Sequence, residues 1–134
     1  MDARILEFIT KHHVLSCSFS LGDEVYSASC FYEFLDDPAR FIVASSGSTK
    51  HVNMAIQNNN VAGTIHLETK EIGKIQGIQF QGVWGKADMK EIQAYLKRFP
   101  YAAAMLPKLW HINITYIKFT DNRFGFGEKL EFFV

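Results

Sequence analysis

The chain predicts a mainly β protein, an antiparallel β-barrel carrying a few short α-helices. Three observations lead there. About seven short runs of strand character come in consecutive pairs, rather than alternating with long helices as a doubly wound sheet requires. Glycines 77, 82 and 85 interrupt the longest run, as they do at bulges and barrel corners. A length of 134 residues suits one domain with its own core, so residues 1–134 read as a single domain without linkers or repeats.

Each element has its own signal. Asp2 caps a first helix with Ile5, Leu6, Phe8 and Ile9 on one face. Residues 14–20 alternate apolar and small polar side chains, break at Leu21-Gly22-Asp23, and resume over 24–34, a hairpin pattern. Asp36-Asp37-Pro38 turns the chain into a third strand over 40–44. Residues 48–57 have helical spacing, with Ser48 as cap and Val52, Ala55 and Ile56 facing inward. Strands follow over 61–68 and 75–87, then a helix over 88–98 that Pro100 stops. Asp88, Lys90, Glu91 and Lys97 read as its solvated face. A further helical turn spans 102–106. Two last strands, 111–119 and 124–133, join at Asp121-Asn122-Arg123, and the second carries Phe124, Phe126 and Phe132 on one face.

Composition narrows the function. Hydrophobic residues make up 48% and charged residues 21%, ordinary for a globular domain, while 12 phenylalanines mark an aromatic core or interface. Lys plus Arg equals Asp plus Glu at 14 each, which argues against the basic surface of a nucleic-acid binder. Cys17 and Cys30 have no metal or redox spacing and read as buried small hydrophobes. No run suits a signal peptide or a membrane span, so the expectation is a reduced, cytoplasmic protein. The His12-His13 pair suits a helix C-terminus, and His66 and His111 suit hydrogen-bonded sheet positions.

The most informative stretch is VASSGSTKHVNMAI, residues 43–56, where a strand passes through hydroxyl residues and a lysine into a helix. Helix N-termini present unpaired N–H groups and a positive dipole end, so they hold anions. Ser45, Ser46, Ser48, Thr49 and Lys50 could line such a site. It is not a Walker A loop, because Gly47 is its single glycine. A plain capped helix with a solvated lysine accounts for the spacing as well.

The run FIVASSGSTKHVNMAIQNNNVAGTI, residues 41–65, resembles the signature of FMN-binding split-barrel proteins related to pyridoxamine 5′-phosphate oxidase. There a strand leads to a turn of Ser, then Arg or Thr, then Lys or Arg, before a short helix. Here Ser48-Thr49-Lys50 occupies that turn and residues 58–61 the helix exit. The strand QFQGVWGKA is similar to another family motif. FYEF, VAGT, GIQFQG, RFP and IKFTDNRFGFG resemble the small YhbP-like branch most closely.

This resemblance implies a Greek-key split barrel, homodimeric, with FMN in clefts at the subunit interface. Ser48, Thr49 and Lys50 would hold the phosphate, and Ser45 the ribityl chain or phosphate. Ser29 and Phe31 would lie along the isoalloxazine, with Gln79 at its polar edge. Asn122 and Phe126 would close the site from the other subunit. The implied activity is an FMN-dependent oxidoreductase of the flavin-reductase kind, with NAD(P)H as electron donor. A non-enzymatic flavin or haem storage protein is the alternative, with His66 or His111 as a haem ligand. An oligonucleotide-binding barrel is the least favoured reading.

The pattern departs from true pyridoxamine-phosphate oxidases. Their Glu-Phe-Trp and Arg-Leu-His-x-Arg elements correspond to Lys118-Phe119-Thr120 and to the run from Arg123 to Gly127. Thr120 replaces the Trp, and glycines replace the His and the last Arg. Each lost charged contact removes about 1.5–3 kcal/mol of hydrogen bonding, so that oxidase activity is not expected. No side chain presents itself as a catalytic acid or base.

Overall fold

The computed structural model describes residues 1–125 and 128–134. Helix α1 (Ala3–Lys11) starts where the Asp2 carboxylate accepts the Arg4 amide at 2.8 Å. It buries Ile5, Phe8 and Ile9 against the sheet, and its Ile9 carbonyl accepts the Tyr32 hydroxyl at 2.6 Å. Strands β1 (Val14–Leu21) and β2 (Glu24–Leu35) form the expected hairpin, turned at Gly22 with a left-handed φ of 58°. In this register Cys17 faces Ala28 and Cys30 faces Leu15, so the two thiols are not opposite, and both are free and buried.

Strand β3 (Arg40–Ala44) leads into α2 (Lys50–Gln57), followed by β4 (Asn60–His66) and β5 (Gln76–Lys86). Helix α3 (Met89–Arg98) then precedes β6 (Leu109–Asp121) and β7 (Lys129–Phe133). The sheet order is β3-β2-β1-β4-β5-β6-β7, and β3 also pairs with β6. Strands β1 to β6 therefore close an antiparallel barrel. The 13-residue β6 shares one edge between two partners. Its residues 109–113 pair with β3, and its residues 116–120 with β7. The barrel is split where that edge changes partner.

A bulge at Gln81/Gly82 leaves Thr115 unpaired against β5. A Cβ on Gly82 would stand 2.7 Å from the Asn113 carbonyl oxygen, so only glycine fits that crossing. Inside the barrel, Phe41 lies 4.9 Å from Phe80 and 5.1 Å from Tyr32, centroid to centroid. Leu15, Ile65, Ile78, Ile112 and Ile117 pack in the same core. The interior is filled, which places any sizeable ligand outside it.

Four expectations need correction. Thr49, not Ser48, caps α2, because its hydroxyl is the one that accepts the Val52 amide, at 3.4 Å. Ile56 is exposed and Met54 takes the inward position. Glu91 is buried rather than solvated: it closes a capping box with Asp88 and binds Arg40 at 2.6 Å and His111 at 2.9 Å. Phe124 sits in a tight 3-10 turn (Asn122–Phe124) before β7, so it does not share a strand face with Phe132. The remaining elements agree with expectation to within a few residues at their ends.

Candidate cofactor cleft

The end of β3 is held from both sides. The Ser45 amide donates to the Lys108 carbonyl at 3.0 Å, and Trp110 Nε1 donates to the Ser45 carbonyl at 2.9 Å. The start of β6 thus fixes the main chain just before the loop. Thr49 closes that loop: its amide and its hydroxyl both donate to the Ser46 carbonyl, at 3.1 and 2.8 Å. The Ser46 and Ser48 hydroxyls, 3.0 Å apart, remain exposed.

A cleft of about 910 Å³ opens beside this loop. Its other walls are Phe31 of β2, Tyr95 of α3, Phe99 after it, and the 3-10 segment Pro100–Met105. The rings are linked: Phe31 lies 5.7 Å from Phe99, and Phe99 4.9 Å from Tyr95. Lys108 lines the loop side, and among the described residues no acidic side chain lines the cleft. Volume and lining are those of a small-molecule site, mostly apolar with a few polar groups at one end.

At the loop end, Ser45 Oγ lies 2.9 Å from His51 Nε2 and 3.8 Å from Cys30 Sγ. Burial holds the His51 ring below its ordinary pKa, so it is neutral at pH 7 and can accept from Ser45. Burial pushes the Cys30 thiol up, against a smaller opposing effect of Ser45, so it stays protonated. The row is a chain of neutral hydrogen-bonding groups.

A second surface adjoins the cleft. Side chains on the outer face of β2, β1, β4 and β5 align in register as Ser29-Ser16-Thr64-Gln79 and Ser27-Ser18-Ala62-Gln81. These two rows carry no charge. Ser16 and Ser29 hydroxyls lie 3.5 Å apart, those of Ser18 and Ser27 2.8 Å.

The expected site residues divide between these places. Ser45 and Phe31 line the cleft, while Ser48 and Thr49 belong to its loop. Ser29 and Gln79 stand in one row of the uncharged face. Lys50 turns outward, its ammonium 2.8 Å from Glu24 and 4.9 Å from the Tyr26 ring. Asn122 donates to the Ile72 carbonyl at 3.0 Å and does not line the cleft. Phe126 lies outside the described residues. Sequence reasoning assigned no cleft role to Tyr95 and Phe99, at the end of α3, or to Lys108, just before β6, which only the fold brings together. Among the described residues, no group of three His, Cys, Asp or Glu side chains is placed to hold a metal ion, and no helix is long and apolar enough to cross a membrane.

Known structures share this architecture. A haem-binding protein from Mycobacterium smegmatis superposes with a TM-score of 0.78 at 11% identity, covering 94% of this chain and 55% of that one. A NimC/NimA family protein from Clostridium acetobutylicum gives 0.71 at 20% identity, covering 98% and 90%. An FAD-binding protein from Mesorhizobium loti gives 0.69 at 12%, covering 87% and 92%. At these identities the likeness establishes the split-barrel fold. No protein-family model matches the chain. In sequence it is 37% identical to a UPF0306 protein of Photorhabdus laumondii, over 94% of this chain and 91% of that protein. It is 36% identical to a UPF0306 protein of Campylobacter jejuni, over 99% and 98%. The chain belongs to the UPF0306 family.

Proposed function

We propose that the protein binds FMN in this cleft and that a second copy, docked on the uncharged sheet face, completes the site. The observation that carries the reading is the cleft itself: aromatic walls ending at a loop of hydroxyls, backbone amides and a lysine. A flat apolar ring system with one anionic tail matches that polarity. Solved split barrels described as FAD-binding and haem-binding support a cofactor role for the fold. The resemblance of residues 41–65 to the pyridoxamine 5′-phosphate oxidase group, and to its YhbP-like branch, favours FMN among flavins.

In this assignment Phe31 packs along the ring, Ser45 meets the ribityl chain, and Ser48 and Thr49 belong to the phosphate end, while Lys50, expected there from the resemblance, is drawn away by Glu24. Ser29 and Gln79 lie on the docking face, where a partner subunit brings Asn122 and Phe126 to the cleft. Bound flavin supplies hydride and electron chemistry, with NAD(P)H as the proposed donor. The chain's own part is to orient the ring, exclude water with the Tyr95–Phe99 wall, and present uncharged groups from Ser45 and His51. The activity so proposed is an oxidoreductase of the flavin-reductase kind, acting in the cytoplasm. Haem is the second reading, favoured by the Mycobacterium smegmatis neighbour.

The test is the spectrum and mass of whatever copurifies with the protein, followed by titration with FMN and with haemin. Yellow protein that oxidises NAD(P)H supports the main reading. Haemin binding without flavin binding turns it to haem, and protein that takes up neither contradicts both.

A further inference from the structure

We propose that Lys108, rather than Lys50, is the cation that selects a ligand with an anionic tail in this cleft. This rests on the cofactor reading for its ligand class but not for its geometry. Lys108 is the one cationic side chain lining the cleft among the described residues, and no acidic side chain lines it. Its main chain is anchored by the Ser45 amide at 3.0 Å, so its Cα is fixed beside the loop.

Gly47 explains how the ammonium comes to lie there. A Cβ at position 47 would stand 3.2 Å from Lys108 Nζ and 3.5 Å from its Cδ. The lysine therefore lies across the bare backbone of Gly47, between the two exposed hydroxyl residues Ser46 and Ser48. A Cβ at 47 would press on it and require the ammonium to shift by a few tenths of an ångström. The Nζ is 6.0 Å from the Trp110 ring, and no acid pairs with it among the described residues. Lys50, by contrast, is already engaged by Glu24 at the start of β2.

A lone cation at one end of an aromatic cleft favours ligands that bring a matching anion, because charge-assisted hydrogen bonds are the strong ones. A flavin phosphate and a haem carboxylate share that chemistry. Neutral analogues of the same ring systems lack it.

The experiment compares FMN with riboflavin on wild type, Lys108→Gln and Lys50→Gln, with melting temperature as the folding check. Wild type is expected to prefer FMN by about tenfold or more, and Lys108→Gln to remove that preference while riboflavin affinity stays unchanged. Lys50→Gln is expected to keep it. Equal wild-type affinity for both flavins overturns the proposal. So does a preference that survives Lys108→Gln or disappears in Lys50→Gln. Haemin against its neutral dimethyl ester separates a carboxylate source from a phosphate one.

If wild type binds no flavin or haem, the cofactor reading fails and an anionic aromatic dye, anilinonaphthalene sulfonate, decides the matter. Dye fluorescence weakened about tenfold in affinity by Lys108→Gln still supports Lys108 as the anion anchor. Equal dye binding by the two proteins, or none by either, overturns it.

Discussion

At the scale of single residues, the loop from Ser45 to Thr49 separates groups that hold structure from groups left free for a ligand. Thr49 spends its hydroxyl on the cap of α2, whereas Ser48 makes no backbone contact through its own hydroxyl among the described residues. Thr49→Ala is expected to lower stability by about 1 kcal/mol in urea unfolding, and Ser48→Ala to change it by less than about 0.5 kcal/mol. Equal losses would contradict this assignment of the cap. Gly47→Ala meets only the flexible end of Lys108, so the fold should tolerate it. Its expected effect is on ligand choice: a smaller ratio of FMN to riboflavin affinity at an unchanged melting temperature. Much of this loop was legible in sequence, since hydroxyl residues between strand and helix announce a cap. Which hydroxyl caps was not, because Ser48 and Thr49 are equally good candidates and only the helix phase chooses between them. Lys108 was illegible for a different reason, since it reaches the loop through strand pairing across more than sixty positions of chain, as the Ser45 contact to it shows.

At the scale of elements, one carboxylate of α3 gathers donors from both its own cap and the barrel wall. Glu91 accepts the Asp88 amide and His111 on one oxygen and Arg40 on the other, and Arg40 also donates to the Pro38 carbonyl at 2.7 Å. Burial by itself would raise the Glu91 pKa, but these donors outweigh it and hold the group below its ordinary 4.5. A carboxylate depressed in the folded state contributes stability that is present above pH 4.5 and is lost as pH falls toward the folded value. The measured unfolding free energy should therefore drop below about pH 4.5, and that part of the drop should vanish in Glu91→Gln. The same variant should cost about 3 kcal/mol at pH 7, because it leaves the Arg40 guanidinium buried without its counter-charge. A pH profile identical to wild type would contradict the assignment. The helix itself was readable from Asp88 and its apolar spacing, but the burial of Glu91 was not. A glutamate three residues after a capping Asp fits a solvated capping box equally well, and the buried Arg40 that recruits it lies on β3.

At the scale of the whole molecule, charge is distributed unevenly over a chain that balances 14 cationic against 14 acidic residues. Two aligned rows across β2, β1, β4 and β5 carry none of it, and the cleft lies at their margin through Phe31. A patch without charge spares a docking copy the cost of desolvating ions, which is the argument for the dimer proposed above. The antiparallel barrel follows from strand-pair signals that the sequence displays openly, but the long-range pairings β1–β4 and β3–β6 that close it do not. The split does not, since it depends on one long strand, β6, changing partners between β3 and β7. Thr64 stands in the middle of the uncharged rows and is exposed. Thr64→Lys is expected to fold with a melting temperature within a few degrees of wild type and to sediment as a monomer. A dimer unaffected by this charge would move the interface elsewhere.

The proposal that one cleft serves both cofactor and dimer is tested most directly by sedimentation velocity of FMN-loaded protein, followed at once in the protein band and in the flavin band. The account predicts that flavin absorbance travels with a species of twice the chain mass and is lost together with that species in Thr64→Lys. Flavin travelling with single chains, or a wild-type dimer that carries none at saturating FMN, would contradict it.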